Sequence, residues 1–142
     1  MIPRYHIILG AIFSLIIWGI FPEINWFFIL LIFLSSFLVD FDHYILAVMK
    51  TGKIGLIDAF GYYRKLKEKA KWERGKKKSF FFLFHTIEFH ILIGLLGFVW
   101  VGFFYIFIGM VIHFILDFSY LAYKKRIYKR WFFLTEWVMR KI

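Results

Sequence analysis

Apolar residues gather into long stretches along this chain, and most of the polar positions between them are basic. The first stretch runs from about Ile7 to Phe21, after Arg4 and before Pro22-Glu23. The second begins near Asn25 and continues past Val39 to about Met49. A third run, Ser79 to Tyr123, is more than twice the roughly 20 residues that a helix needs to span a bilayer. It must fold back on itself, most naturally near Trp100-Val101-Gly102. The pattern predicts an all-α integral membrane bundle of four transmembrane helices, with spans at about 7–21, 25–48, 79–100 and 103–123. A basic cytoplasmic loop, 50–78, joins the two hairpins, and an amphipathic interfacial tail, 124–142, completes a single membrane domain, 1–142. No repeat is evident.

Composition supports lipid as the solvent. Apolar residues are 62% of the chain and Phe alone fills 21 positions, against roughly 45–50% apolar in soluble domains. The first stretch has neither the strongly basic start nor the small-residue cleavage site of a signal peptide, and is expected to remain as a helix. With no cysteine, a disulfide framework, a thiolate metal site and a Cys nucleophile are all excluded.

The net charge of +10 changes the picture only through its distribution. Of the 19 Lys and Arg, all but Arg4 lie between Lys50 and Lys78 or between Lys124 and Lys141. Every cation flanks an apolar segment, an arrangement that sets topology and binds anionic headgroups rather than nucleic acid. Four spans place all the cations on one side, with both termini in the cytoplasm and the protein in the plasma (inner) membrane. Trp18, Trp26 and Trp100 then fall at an outer aromatic belt. Ile54–Glu73 and Tyr128–Ile142 mix bases with aromatics and read as helices lying on the inner surface, in contact with membrane lipids. A homo-oligomer is compatible with this reading.

Ionisable groups inside spans are costly and mark functional sites. Here they are His6, Asp40, Asp42, His43, His85, Glu88, His90, His113 and Asp117. At about 1.5 Å per helical residue, His43, His85 and Asp117 lie roughly 10 Å from the nearest basic edge. Asp40, Glu88 and His113 come out at roughly 15–16 Å and His90 at roughly 18 Å. His6 is expected near the surface at the start of the first helix. Asp40 and His43 share a face, as do His85 and Glu88 at i, i+3 and His113 and Asp117 at i, i+4. His90 turns partly away. Asp42 cannot share Asp40's face on a regular helix, so either the helix breaks near Val39 or Asp42 supports or caps. Imidazole and carboxylate without thiolate suit zinc, manganese or iron. The number of candidates favours two or three divalent transition-metal ions, zinc foremost, over a single one. A His–Asp hydrogen-bond network or proton relay uses the same residues.

The segments Leu38-Val39-Asp40-Phe41-Asp42-His43, His85-x4-His90 and His113-x3-Asp117, with His6 near the start, resemble the predicted membrane-bound metal-dependent hydrolases. That family belongs to a wider group with zinc-dependent phospholipase C and the fungal single-strand nucleases. The resemblance implies phosphodiester chemistry at a multi-zinc site, with His6, Asp40, Asp42, His43, His85, His90, His113 and Asp117 as ligands. Val39 stands where the family pattern has Pro, and Thr86-Ile87 where it has Arg-Gly. The resulting expectation is a metal-dependent hydrolase of phosphoesters such as phospholipid headgroups, with Glu88 or Asp42 as general base. A metal or proton transporter, and a metal-stabilised scaffold without turnover, are the alternatives.

Overall fold

The structure is a computed structural model of the chain, which describes residues 3–72 and 81–139. The end of the expected basic loop (73–78), the first residues of the expected third span (79–80) and the last three of the tail (140–142) lie outside them. All regular structure among the described residues is helical. Seven α-helices follow one another: α1 (Pro3–Ile20), α2 (Trp26–Leu38), α3 (Phe41–Thr51), α4 (Leu56–Trp72), α5 (Ile87–Leu96), α6 (Val101–Tyr123) and α7 (Leu134–Met139). Single 3-10 turns at Leu83–His85 and Ile127–Lys129 precede α5 and α7.

Two helical stretches are long and apolar enough to cross a membrane, Trp26–Thr51 and Val101–Tyr123. The first comprises α2 and α3, joined through Val39-Asp40. α1 is apolar but shorter. α5 is only 10 residues long, about 15 Å, where a helix over 79–100 was expected. The difference arises at Thr86, whose extended backbone and side-chain oxygen cap the helix through Phe89 N–H. His85 is therefore left before the helix, in the 3-10 turn.

α2 packs on α1 and α6, and α5 packs on α6. Small residues permit the close approach of the central pair. A side-chain carbon added to Gly109 of α6 would collide with Ser35 Oγ and the Ile32 carbonyl of α2, and one at Gly10 of α1 would collide with Ser36 Oγ of α2. The buried residues invert the usual order of a soluble core. His6, Ser36, His85, Thr86 and His113 are within 2% of complete burial, while Phe98 is 90% and Val99 81% exposed. Polar groups share the interior with a few apolar side chains such as Ile32 and Met110, and large apolar ones cover much of the exterior, as expected where lipid surrounds a bundle.

The break between α2 and α3 resolves the placement of Asp42. At Val39-Asp40 the hydrogen bonds tighten to i→i+3, Phe37 O to Asp40 N–H and Asp40 O to His43 N–H. Asp40 and Asp42, two apart, thereby reach one common neighbour. At the other end of α3, Gly52 takes the left-handed conformation (φ 68°) and stops the helix. α4 returns beneath it, and Tyr63 donates its hydroxyl to the His43 carbonyl at 2.8 Å. Burial pushes the Tyr63 phenol above its ordinary range, which keeps that proton in place.

α6 ends in a reversal of Schellman type, with Arg126 N–H bonded to Leu121 O at 2.9 Å. Lys125 occupies the left-handed position there (φ 52°), where glycine is usual. The reversal turns the tail back along the bundle. Phe81 then stacks on Trp137 with ring centroids 4.5 Å apart, and Ile87 N–H donates to the Phe132 carbonyl at 2.9 Å.

Two outcomes follow from this packing. Gly109→Ala should destabilise the bundle by about 1–3 kcal/mol through overpacking, whereas Gly19→Ala, with open space around it, should be neutral or stabilise by about 0.5–1 kcal/mol. Denaturation followed by helical circular dichroism in detergent would separate them. Lys125→Gly should raise the melting midpoint, by up to about 1 kcal/mol in stability, because it relieves a left-handed lysine.

Candidate metal centre

Four elements bring ionisable groups to one end of the bundle. His6 comes from the start of α1, Asp40, Asp42 and His43 from the α2–α3 break, His85 from the turn before α5, and His113 and Asp117 from the last turns of α6. One side-chain nitrogen or oxygen atom from each of Asp40, His85, His113 and Asp117 lies within 4.8 Å of the others, and so does one from each of Asp42, His43 and His85.

Hydrogen bonds at the outer ring nitrogens fix which atoms face inward. His85 donates its Nδ1–H to Asp42 Oδ2 at 3.0 Å, and His113 donates its Nδ1–H to the Ser36 carbonyl at 2.8 Å. A neutral imidazole has one N–H, so in that form each ring turns Nε2 inward as an acceptor. These two atoms are 3.2 Å apart. Asp40 Oδ1 lies 3.4 Å from His85 Nε2 and 3.7 Å from His113 Nε2. Asp117 Oδ2 lies 4.0 and 3.8 Å from the same atoms. Four acceptors thus converge with their lone pairs on one small volume. Such a set is mutually repulsive unless a cation or a proton stands among the atoms, and its imidazole–carboxylate chemistry fits a divalent transition metal. The donor set and the fixed tautomers pass that test; ion identity and number do not follow from it.

Asp42 completes the arrangement from outside. Its Oδ1 receives His43 Nδ1–H at 2.7 Å and its Oδ2 that of His85. A carboxylate behind an imidazole in this way orients the ring and raises its basicity as a ligand. His85 belongs to both groups through opposite nitrogens. While Nδ1 donates to Asp42, the two groups share His85 without both using it as a ligand. His43 stacks on Phe82 with centroids 3.8 Å apart and remains partly exposed at the rim.

His6 is fully buried, not near the surface. Its ring stacks on His113 at 4.1 Å, and its Nε2–H donates to Asp117 Oδ1 at 3.1 Å. Its Nδ1 is buried with no hydrogen-bond partner among the described residues. His6 therefore touches the cluster through Asp117 rather than facing the central volume.

The structure separates two expected site residues from this centre. His90 donates Nδ1–H to the Thr86 carbonyl at 2.8 Å and turns Nε2 to the Met110 carbonyl at 3.4 Å. Both nitrogens face backbone, because α5 begins at Ile87 and sets His90 one turn inside it. Glu88 points the opposite way from the cluster. Its carboxylate accepts from Leu134 N–H at 3.0 Å and from Thr135 N–H and Oγ1–H at 3.2 Å. It caps the N-terminus of α7, the ordinary use of an acidic group at such an end. The expected general-base role for Glu88 has no support in this placement.

One residue at the centre was not anticipated. Arg130, from the tail, donates Nη1–H to Asp117 Oδ2 at 2.6 Å. In the sequence it is one of several tail cations, and nothing local distinguishes it. Ser36, whose carbonyl holds His113, was equally invisible, since its role belongs to the backbone.

Compared with family models, with curated proteins and with solved structures, the chain gives no match.

Asp42→Ala should weaken zinc binding by about 10–100-fold through loss of the support behind His85. Glu88→Gln, which touches only the α7 cap, should leave zinc affinity within about twofold. Calorimetric titration of metal-stripped protein would measure both.

Proposed function

We propose that the chain is a membrane-embedded, metal-dependent hydrolase of phosphoesters, with phospholipid headgroups as the foremost substrate class. The observation that carries this reading is the approach of His85 Nε2 and His113 Nε2 to 3.2 Å beside Asp40 and Asp117. Three separate segments supply that pocket, and a fourth places His6 behind it, at one end of the bundle, which is also the end where the basic segments begin.

Asp40, His85, His113 and Asp117 would hold the metal, with Asp42 behind His85 and His6 behind Asp117. When bound, a divalent ion supplies Lewis acidity toward a phosphoryl oxygen and acidifies water in its coordination sphere toward neutral pH. The protein's own contribution is orientation and proton handling. Asp42 keeps His85 in the Nδ1–H tautomer. With Glu88 committed to the α7 cap, the Asp42–His43 pair at the partly exposed rim is the acid–base couple of the site. His43 keeps its Nδ1–H on Asp42 across the 2.7 Å contact, which leaves Nε2 as the ring nitrogen able to take a proton.

The same reading places α1, α2–α3, α5 and α6 in the bilayer with both termini and the basic loop on the cytoplasmic side of the inner membrane. All the cations then fall on one side. The site opens at the level of the inner headgroups, where its basic surroundings raise the local concentration of anionic lipid.

Protein purified without chelator should carry zinc or another transition metal. His113→Ala and Asp117→Ala should each lose most of it, and should lower phosphoester or phospholipid hydrolysis by at least about a hundredfold, while the protein still inserts in membranes. Wild-type protein free of metal after gentle purification would refute the proposal. Metal retained without hydrolysis across a phospholipid panel would reduce the centre to a structural one.

A further inference from the structure

The cation that the tail returns to the cluster is the feature left over by the metal reading. Arg130 lies 13 residues beyond Asp117 in the chain, past the left-handed Lys125 and the 3-10 turn at 127–129. Its path is held in several independent ways. Glu88 caps α7, Phe132 O receives Ile87 N–H, and Phe132 packs edge-on against Phe114 and Phe118 at centroid distances of 6.1 and 6.2 Å. Its side chain is 12% exposed and that of Asp117 8%, so the pair stands at the border between pocket and rim.

Position decides what the guanidinium is for. Among the four grouped ligands, Asp40 and Asp117 carry two negative charges, which one divalent ion neutralises. Asp42, the acceptor for His43 and His85, carries a third, which balances the charge of Arg130. The guanidinium itself stands beside the ligand Asp117 at the rim, so an anion entering there meets the ion pocket and the guanidinium together. The contact with Asp117 is made through Nη1. A guanidinium has five N–H donors in a planar fork that matches phosphate oxygens.

We propose that Arg130 is the anion-contacting residue of the centre, a guanidinium delivered by the tail to hold the phosphoryl group of an anionic phosphoester. This rests on the metal-dependent hydrolase reading and adds its specificity element. A lipid phosphomonoester headgroup and a soluble phosphoester present the same chemistry to it.

The test is phosphate binding to zinc-loaded protein, followed by calorimetry with inorganic phosphate as the probe. Wild type should bind phosphate. Arg130→Gln should bind it about ten- to a hundredfold more weakly, the range of a lost charge-assisted contact. Arg130→Lys, which keeps the charge and loses the fork, should fall between them. Zinc uptake should be unchanged in both. Equal phosphate affinity in wild type and both variants, with zinc still bound, overturns this inference and leaves the hydrolase reading standing. Loss of zinc from Arg130→Lys also overturns it, since the residue would then merely hold Asp117 in place. A wild type that takes up no zinc overturns both readings together. Repeating the titration in nanodiscs identifies the source. Weaker apparent phosphate affinity in discs containing phosphatidic acid than in phosphatidylcholine discs marks the headgroup as the natural anion. Equal affinity in the two discs marks a soluble phosphoester, and either result upholds the role of Arg130.

Discussion

Hydrocarbon supplies no hydrogen bonds, so every polar group inside a membrane bundle must find its partner within the protein. On the proposed membrane placement, much of this structure answers that constraint. Apart from Ile32, the large or polar side chains most completely withdrawn from the surface are imidazoles and hydroxyls. Ser14, Ser35 and Ser36 return their hydroxyls to carbonyls of their own helices. His113 uses the Ser36 carbonyl, and His85 uses Asp42. What remains after these pairings is His6 Nδ1, buried with no partner among the described residues, and His85 Nε2 and His113 Nε2, which face each other at 3.2 Å beside two carboxylates. The chemistry proposed for the protein occupies this region, where acceptors are crowded together.

The sequence disclosed this region better than it disclosed the helices around it. Depth counted from the basic edges put His85 and Asp117 at roughly 10 Å and Asp40 and His113 at roughly 15–16 Å, all toward the same end, because a helix converts residue number into height at a fixed rate and the cations mark one border. The i, i+4 relation of His113 and Asp117 held because α6 is unbroken there. Where the backbone departs from regular helix, the same counting failed. Thr86 caps α5, which puts His85 outside it and turns Glu88 toward α7 and His90 toward backbone carbonyls. Face assignments made on a continuous helix could not survive that cap. At Asp40 and Asp42 the pattern did register a conflict, two carboxylates that cannot share a face, and the tightened turn at Val39-Asp40 is its resolution. Arg130 and Ser36 left no signal, since one depends on a reversal of the tail and the other on a main-chain oxygen.

The tail does more than lie beside the bundle. Its fastening to α5 through Glu88 and to α6 through Phe132 means that the acidic residue expected to take part in chemistry instead holds the segment that carries Arg130. The roles of the two charged residues are exchanged relative to a reading by proximity in sequence. A carboxylate in the first turn of one short helix caps another, and a cation from an apparently solvated run enters the centre. Asp117 is where the two halves of the arrangement join, since it meets His6 on one oxygen and Arg130 on the other.

α5 bears on how a lipid would meet this pocket. A helix about 15 Å tall cannot match a hydrocarbon layer about 30 Å thick. On the proposed membrane placement, the bilayer along that side of the bundle would thin, or the aromatic tail would make up the missing height. Thinning brings headgroups down toward the level of His85 without moving any part of the protein. The hydrophobic mismatch of one truncated wall would then act as a ramp, so that bilayer thickness itself becomes a variable governing access to the site.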